Sequence, residues 1–223
     1  MEKRNLGDPV GPVACRSCDL FEICSMIDTL PAASNLPRSP TMRIIERGET
    51  LYMAGEPATH VYALRKGLVK SEKLVATTDK RVLALHVPGE VLGEEAVLNE
   101  RYSSSVKAIT RAIFCELPLR SFLGWGAGAN ALRSGLEALA QPRCTVSPRR
   151  PRRVQERLTH LACDLGDRLR FRGVTSREIP LDIPRRELAR MLGASVASVH
   201  RALMQTNEHD AIRLQDNRVI LRL

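Results

Sequence analysis

Three cysteines near the N-terminus, Cys15, Cys18 and Cys24, stand at C-x2-C-x5-C spacing. Thiolates are soft ligands, and three of them this close can hold one corner of an iron–sulfur cluster or a zinc ion. Both groups usually need a fourth ligand, and the triplet alone is also compatible with structural cysteines. Of the remaining thiols, Cys163 lies near the apolar stripe of a helical stretch, which predicts a buried small hydrophobe. Cys144 sits among prolines and arginines and is expected to be an exposed free thiol. His60, His86 and His160 are isolated and carry no ligand assignment. No HExxH, Walker loop or nucleophile–base constellation supports an enzyme.

The other chemistry-bearing stretch is LDIPRRELARMLGASVASVHRALM, residues 181–204. Pro184 suits the first turn of a helix, where its missing amide is not needed. Leu188, Met191 and Leu192 would form the apolar face of that helix. Gly193 can take the left-handed conformation of a tight helix–helix turn, and Ser195 can cap the next helix. Val196, Val199 and Leu203 are then expected inward, leaving Ser195, Ala197, Ser198, His200 and Arg201 outside. A short second helix with a polar, cationic outer face after a glycine turn reads as a DNA recognition helix, with Ser195, Ser198, His200 and Arg201 as candidate DNA contacts. The alternative is an ordinary helical hairpin.

The charge agrees with the first of these. The chain of 223 residues carries +9 with pI near 9.7, which favours a polyanionic partner. From Arg149 onward there are 16 Arg, no Lys and 9 acidic residues, so +7 of the charge sits in the last third. Arginine suits phosphate and base recognition because its planar fork donates two parallel hydrogen bonds. No apolar run reaches the roughly 18 residues of a membrane span. The polar start, MEKRNLGDPVGPVAC, lacks the apolar stretch of a signal peptide. A cytoplasmic protein is expected, where disulfides are rare.

These groups need positioning. Residues 1–30 read as a tail and cysteine-rich loop. From Met42 to Leu117, short apolar runs alternate with turn residues, punctuated by Gly48, Gly55, Gly67, Gly89 and Gly93. Regularly spaced strands of this kind predict an all-β sandwich or barrel, here a jelly roll, within a sensor domain over 31–120. A helix follows, with Leu132, Leu136 and Leu139 on one face, until Pro142 ends it. The helix and a Pro/Arg linker make up 121–150. Residues 151–223 form the last unit. There RVQERLTHLACDLGDRLRFRG is helical, with Val154, Leu158, Leu161, Leu165 and Leu169 on a stripe and Gly173 as C-cap. The end, IRLQDNRVILRL, reads as a hairpin turning at Asp216-Asn217, which makes the helix-turn-helix winged. The predicted class is α+β: a β-roll, a dimer helix and a winged helix-turn-helix.

From residue 15 on, the sequence resembles the CRP/FNR superfamily of transcription regulators, in particular its FNR branch. The carriers are the N-terminal C-x2-C-x5-C, the roll stretches LYMAGEPATHVYALRKGLVK and HVPGEVLGEEAVL, and QERLTHLACDLGDRL followed by the helix-turn-helix. The resemblance implies a fourth cluster ligand before a Glu-[hydrophobic]-Pro, which is Cys115 in FCELP. It also implies one [4Fe–4S] cluster per subunit, held by Cys15, Cys18, Cys24 and Cys115. Further implications are a homodimer on a palindromic double-stranded DNA operator, RNA polymerase as a partner, and oxygen-dependent loss of cluster, dimer and DNA.

Three departures qualify it. Of the family's Glu-x-x-Ser-Arg reading triplet only Arg201 remains, with Ala197 and His200 at the other two positions. Pro142, Pro148 and Pro151 interrupt the second half of the dimer helix. Interior proline costs about 3 kcal/mol, so a weak dimer is expected. The cyclic-nucleotide branch needs an Arg-Ser pair after its Gly-Glu. Here Gly93-Glu94 is present, but the pair reads Tyr102-Ser103, with Arg101 one place off. The competing readings are a regulator of this fold with a cyclic nucleotide or haem as signal, and an iron–sulfur carrier or zinc-bound enzyme.

Overall fold

A computed structural model describes residues 16, 18, 21, 41–74, 80–95, 100–119, 153–174, 177–181, 183–206, 211–215 and 218–222. Cys15, Cys24, Cys144, the helix expected after Leu117, its three prolines and the Asp216-Asn217 turn lie outside them, apart from the first residues after Leu117.

The first part of the chain is a β-roll. Its strands are β1 (Thr41–Ile45), β2 (Thr50–Tyr52), β3 (His60–Lys66), β4 (Val69–Leu74), β5 (Lys80–His86), β6 (Val91–Leu92), β7 (Ser105–Ala108) and β8 (Ala112–Pro118). They form two four-stranded sheets, ordered β1-β8-β3-β6 and β2-β7-β4-β5, with every pair antiparallel. Side chains alternate across a strand. On β3 and β8 this sends Tyr62, Leu64, Ala112 and Phe114 into the roll's core with Ile45, Tyr52 and Tyr102. The other face of these two strands, with Val61, Ala63, Cys115 and Leu117, is also buried. A strand buried on both sides loses the polar alternation of a half-exposed one.

The second part holds α1 (Val154–Phe171), β9 (Glu178–Leu181), α2 (Arg185–Leu192), α3 (Val196–Met204) and the hairpin β10 (Ile212–Gln215) with β11 (Arg218–Arg222). The expected apolar stripe of α1 is buried at Leu158, Leu161, Leu165 and Leu169, and Ala162 and Gly166 join it. Its end is closed by Gly173 N–H donating to Arg170 O (2.9 Å) and Val174 N–H to Leu169 O (3.0 Å). Cys163 departs from expectation. It is exposed, because it falls about 200° from both Leu161 and Leu165 at 3.6 residues per turn, on the far side of the helix. Strand β9 is not predicted by the sequence pattern. It contains Pro180 and pairs on one side only, in the order β10-β11-β9. Proline is tolerated on such an edge, where no partner needs its amide.

The two parts share a core. Leu68, Val82, Leu85, Val87 and Ile109 of the roll belong to one buried cluster with the stripes of α1, α2 and α3. Two polar contacts cross the same junction. Arg168 of α1 forks onto Glu90, Nε to Oε1 at 2.8 Å and Nη2 to Oε2 at 2.7 Å, and Nη2 also donates to Leu85 O at 2.6 Å. Lys70 of β4, nearly fully buried, reaches Glu187 of α2 at 2.6 Å and Glu72 of its own strand at 2.8 Å. Burial pushes the Glu72 carboxyl up, but Lys70 and Lys80 outweigh it and hold the group below its usual range. Edge strand β5, a place where sheets otherwise aggregate, is covered by α2.

Candidate nucleic-acid interface and thiol site

The helix-turn-helix is built by local chemistry. Pro184 precedes α2 as its N-cap (φ −58°, ψ 139°) rather than sitting inside the first turn. Gly193 ends α2 in the left-handed region (φ 57°, ψ 43°), where a Cβ would strain the backbone. Ser195 then caps α3, its Oγ accepting from Ser198 N–H at 3.1 Å and lying 2.9 Å from Ser198 Oγ. The turn is pinned from behind. Arg157 of α1 donates to Leu192 O at 2.5 Å and more loosely to Gly193 O at 3.4 Å. A guanidinium on the carbonyl end of a helix is also favoured by the helix dipole.

Val199, Ala202 and Leu203 of α3 are buried against α1 and α2. Ser195, Ala197, His200 and Arg201 are exposed, and Ser198 is half-buried. The outer face therefore carries the residues expected there, although the Ser195 hydroxyl is engaged as a cap. Val196 differs from expectation. It is exposed, as is Met204. Val196 shares the angular face of Val199, but it is the first helical residue and stands beyond the packed turns. Exposed Met204, three residues after Arg201 and about 60° from it around the helix, adds an apolar group that the polar pattern did not suggest. Val196's place directly after the cap was the available signal.

The thiols divide by location. Cys115 sits on β8, registered opposite Met42 of β1 and Ala63 of β3. It is 7% exposed, and its Sγ donates to the Met42 thioether at 3.6 Å. Cys18 is half-buried, and its carbonyl accepts from Phe21 N–H at 3.0 Å. Cys163 is on the outer side of α1. Among the described residues no three His, Cys, Asp or Glu side chains form a metal site, and two of the four expected ligands lie outside those residues. What is described fits a thiolate-bound group: Cys115 stands on an apolar sheet face beside a second soft sulfur.

The stretch relevant to a nucleotide is used differently. Tyr102 stacks on Tyr52 with centroids 3.8 Å apart, and its hydroxyl donates to His60 O at 2.8 Å. A Cβ at Gly93 would press on the Tyr102 ring at 3.0 Å. Burial drives the Tyr52 phenol well above its ordinary pKa, so it stays neutral. Arg101 donates to Gly55 O at 2.6 Å, while Ser103 N–H and Oγ both meet Glu95, at 3.3 and 3.1 Å. The Tyr52, Tyr62 and Tyr102 rings pack together in the roll's core, and Arg101 and Ser103 are hydrogen-bonded within the roll.

Two family models match the chain: "Cyclic nucleotide-binding domain" over residues 42–125 and "Crp-like helix-turn-helix domain" over residues 153–223. The "Anaerobic regulatory protein" of Aggregatibacter actinomycetemcomitans is 25% identical over 203 residues, 86% of this chain and 77% of that one. The "Fumarate and nitrate reduction regulatory protein" of Vibrio cholerae is 23% identical over 203 residues, 86% of this chain and 79% of that one. The solved structure of FixK2 from Bradyrhizobium japonicum shares the fold, with TM-score 0.63 at 22% identity, covering 82% of this chain and 92% of that one.

Proposed function

Because the chain belongs to the CRP/FNR superfamily of DNA-binding transcription regulators, we propose that it acts in the FNR branch, reading oxygen or redox state through a [4Fe–4S] cluster. The ligands are Cys15, Cys18, Cys24 and Cys115, on a loop within residues 1–30 and on the roll of residues 31–120. The observation that carries this reading is Cys115: a thiol buried on the outer face of the roll, in a chain whose relatives are named as anaerobic regulators. When bound, the cluster supplies an oxygen-labile redox centre. Cys115 anchors the N-terminal loop to β8, which is hydrogen-bonded to both β1 and β3. The regulator works as a homodimer on a palindromic operator, weakened by the prolines of the 121–150 segment, with RNA polymerase as its further partner.

Anaerobic purification followed by iron and acid-labile sulfide counting tests the cluster. Equal iron and sulfide, lost together in air, is the expected result. A colourless protein carrying zinc would instead establish the thiols as a zinc site and end the oxygen-sensing reading. The stacking of Tyr102 on Tyr52 and the hydrogen bond of Arg101 to Gly55 O argue against a cyclic nucleotide as signal.

Base reading falls to α3. Arg201 is positioned to donate to O6 and N7 of one guanine, a contact worth roughly 1–3 kcal/mol of discrimination. Ala197 has nothing to accept from cytosine, so the adjoining base is read loosely, and His200 modifies its neighbour. Selection from a random DNA pool should return a palindrome with one strong G·C pair per half-site. Arg201→Ala should erase that preference and Ala197→Glu should sharpen the position beside it. An unchanged site in Arg201→Ala protein would mean that α3 is not the reading helix.

A further inference from the structure

The cluster that joins the roll to α2 is apolar. Leu68, Val82, Leu85, Val87 and Ile109 of the roll share it with Leu188, Ala189, Met191 and Leu192 of α2. Apolar burial is non-directional, so it holds two surfaces together without fixing where one sits on the other. A charged group enters the same junction from β4. Lys70 is 3% exposed, and its ammonium stands between Glu72 Oε2 of its own strand at 2.8 Å and Glu187 Oε2 in the first turn of α2 at 2.6 Å. Each carboxylate is also held from its other side, Glu72 by Lys80 at 3.2 Å and Glu187 by Arg190 at 3.3 Å. A row of alternating charges, Lys80, Glu72, Lys70, Glu187 and Arg190, thus runs from the roll into α2. Charge-assisted hydrogen bonds are short and geometrically specific, so the row supplies the direction that the apolar cluster lacks. The roll meets α2 without covering the reading face, because Ala197, His200 and Arg201 of α3 stay exposed.

We propose that Lys70 is a positioning residue for DNA binding: buried in the roll and touching no DNA, it fixes the seat of α2 and thereby the placement of α3. The turn between the two helices is short and pinned by Arg157 on Leu192 O, so a shift of α2 is carried to α3. In a dimer, the distance between the two α3 helices depends on how each DNA-binding part sits on its own roll. Half-sites one helical turn apart, roughly 34 Å, require that distance to be held. Buried ion pairs are best attested as devices that set register rather than as sources of stability. The role rests on the homodimer and palindrome proposed above and needs no cluster.

The test compares the full chain with its Lys70→Met/Glu187→Leu variant. The double change removes one positive and one negative charge, so net charge and its long-range pull on DNA are unchanged, and Glu72 keeps Lys80. Apolar groups of similar volume often replace a buried pair without loss of stability, so the melting curve should stay at the wild-type position. Affinity for the palindrome selected from a random pool should fall about 5-fold or more, the lower end of coupling between sites. Affinity for a single half-site, and the half-site sequence selected, should not change. A merely structural lysine would not produce that split. Glu187→Gln, which keeps the side chain's size and leaves Lys70 on Glu72, is the second variant and should show the same split more weakly. Affinity lost equally on both DNAs, or in step with melting temperature, overturns the proposal, as does wild-type affinity of both variants for the palindrome. Wild-type protein that holds the palindrome no tighter than the half-site would instead remove the dimer reading. Hydrogen exchange of the unbound chain then decides: faster exchange in β5 and α2 of the double variant supports Lys70 as the group that seats α2, and unchanged rates overturn it.

Discussion

Arg168→Ala is expected to cost about 3–5 kcal/mol of stability, the range for removing one partner of a buried ion pair. The guanidinium is tied on three sides: to both oxygens of Glu90, to Leu85 O, and to Asp164 at 3.0 Å. Without it, Glu90 stays buried with, among the described residues, His86 at 3.6 Å and Val87 N–H at 3.2 Å as its remaining partners. Burial by itself pushes the Glu90 carboxyl up. Hydrogen bonds from His86 and Arg168 more than reverse this and hold it down at about 2, against an ordinary 4.5. A carboxyl depressed in the folded state stabilises the fold above its unfolded pKa. That contribution is therefore complete above about pH 4.5 and drains away as the pH falls toward 2, by at most about 3 kcal/mol.

Urea unfolding followed by circular dichroism between pH 2 and 7 reads both effects. The variant should unfold at lower urea at neutral pH and begin acid unfolding at higher pH than the wild type. A loss below about 1 kcal/mol with an unmoved acid limb would show that the contact is not made in solution. The double change Arg168→Met with Glu90→Leu should recover most of the loss, since apolar groups of similar volume often replace a buried pair at no net cost. Because the pair bridges the roll and α1, the single variant should also open the junction to proteases while the double variant stays closed.

Cys115→Ser is expected to abolish anaerobic iron binding, and Cys163→Ser to leave it intact. The two thiols are chemically alike but differently placed. Cys115 is buried on the sheet face beside Met42, whereas Cys163 stands exposed on the outer side of α1. Clusters of this kind require thiolates, and a serine hydroxyl remains protonated where a thiol ionises. The fold should survive, because serine is close to cysteine in size and the site already tolerates a polarisable donor. Matching melting curves with and without the change would separate ligand loss from unfolding. Equal iron loss from both variants would remove Cys115 from the ligand set.

Much was legible in the sequence where one short stretch decides the outcome. Gly193 and Ser195 fix the turn and cap of the helix-turn-helix through their own backbone and hydroxyl. The stripe of α1 follows from periodicity, and the β-roll from strands punctuated by glycine. These are interactions within a few residues, so residue type and spacing suffice to state them. Proximity to a stripe was a poor guide to burial at Cys163, because two positions along a helix cross to its opposite side. Val196 is exposed for a related reason: periodicity gives its direction but not where the neighbouring helix stops.

The fold alone decided the rest. Glu90 and Arg168 are 78 positions apart and Lys70 and Glu187 are 117 apart, yet each pair meets in one partly buried contact. Arg47 of the β1–β2 turn lines the same hollow as Arg185 and Arg218 only because the roll docks on the DNA-binding part. The sequence by itself determined the local elements, the cationic recognition helix and the set of soft ligands. Tertiary structure decided which thiols are buried, which charges are paired and which arginines converge, because those outcomes depend on surfaces that meet only after the chain has folded.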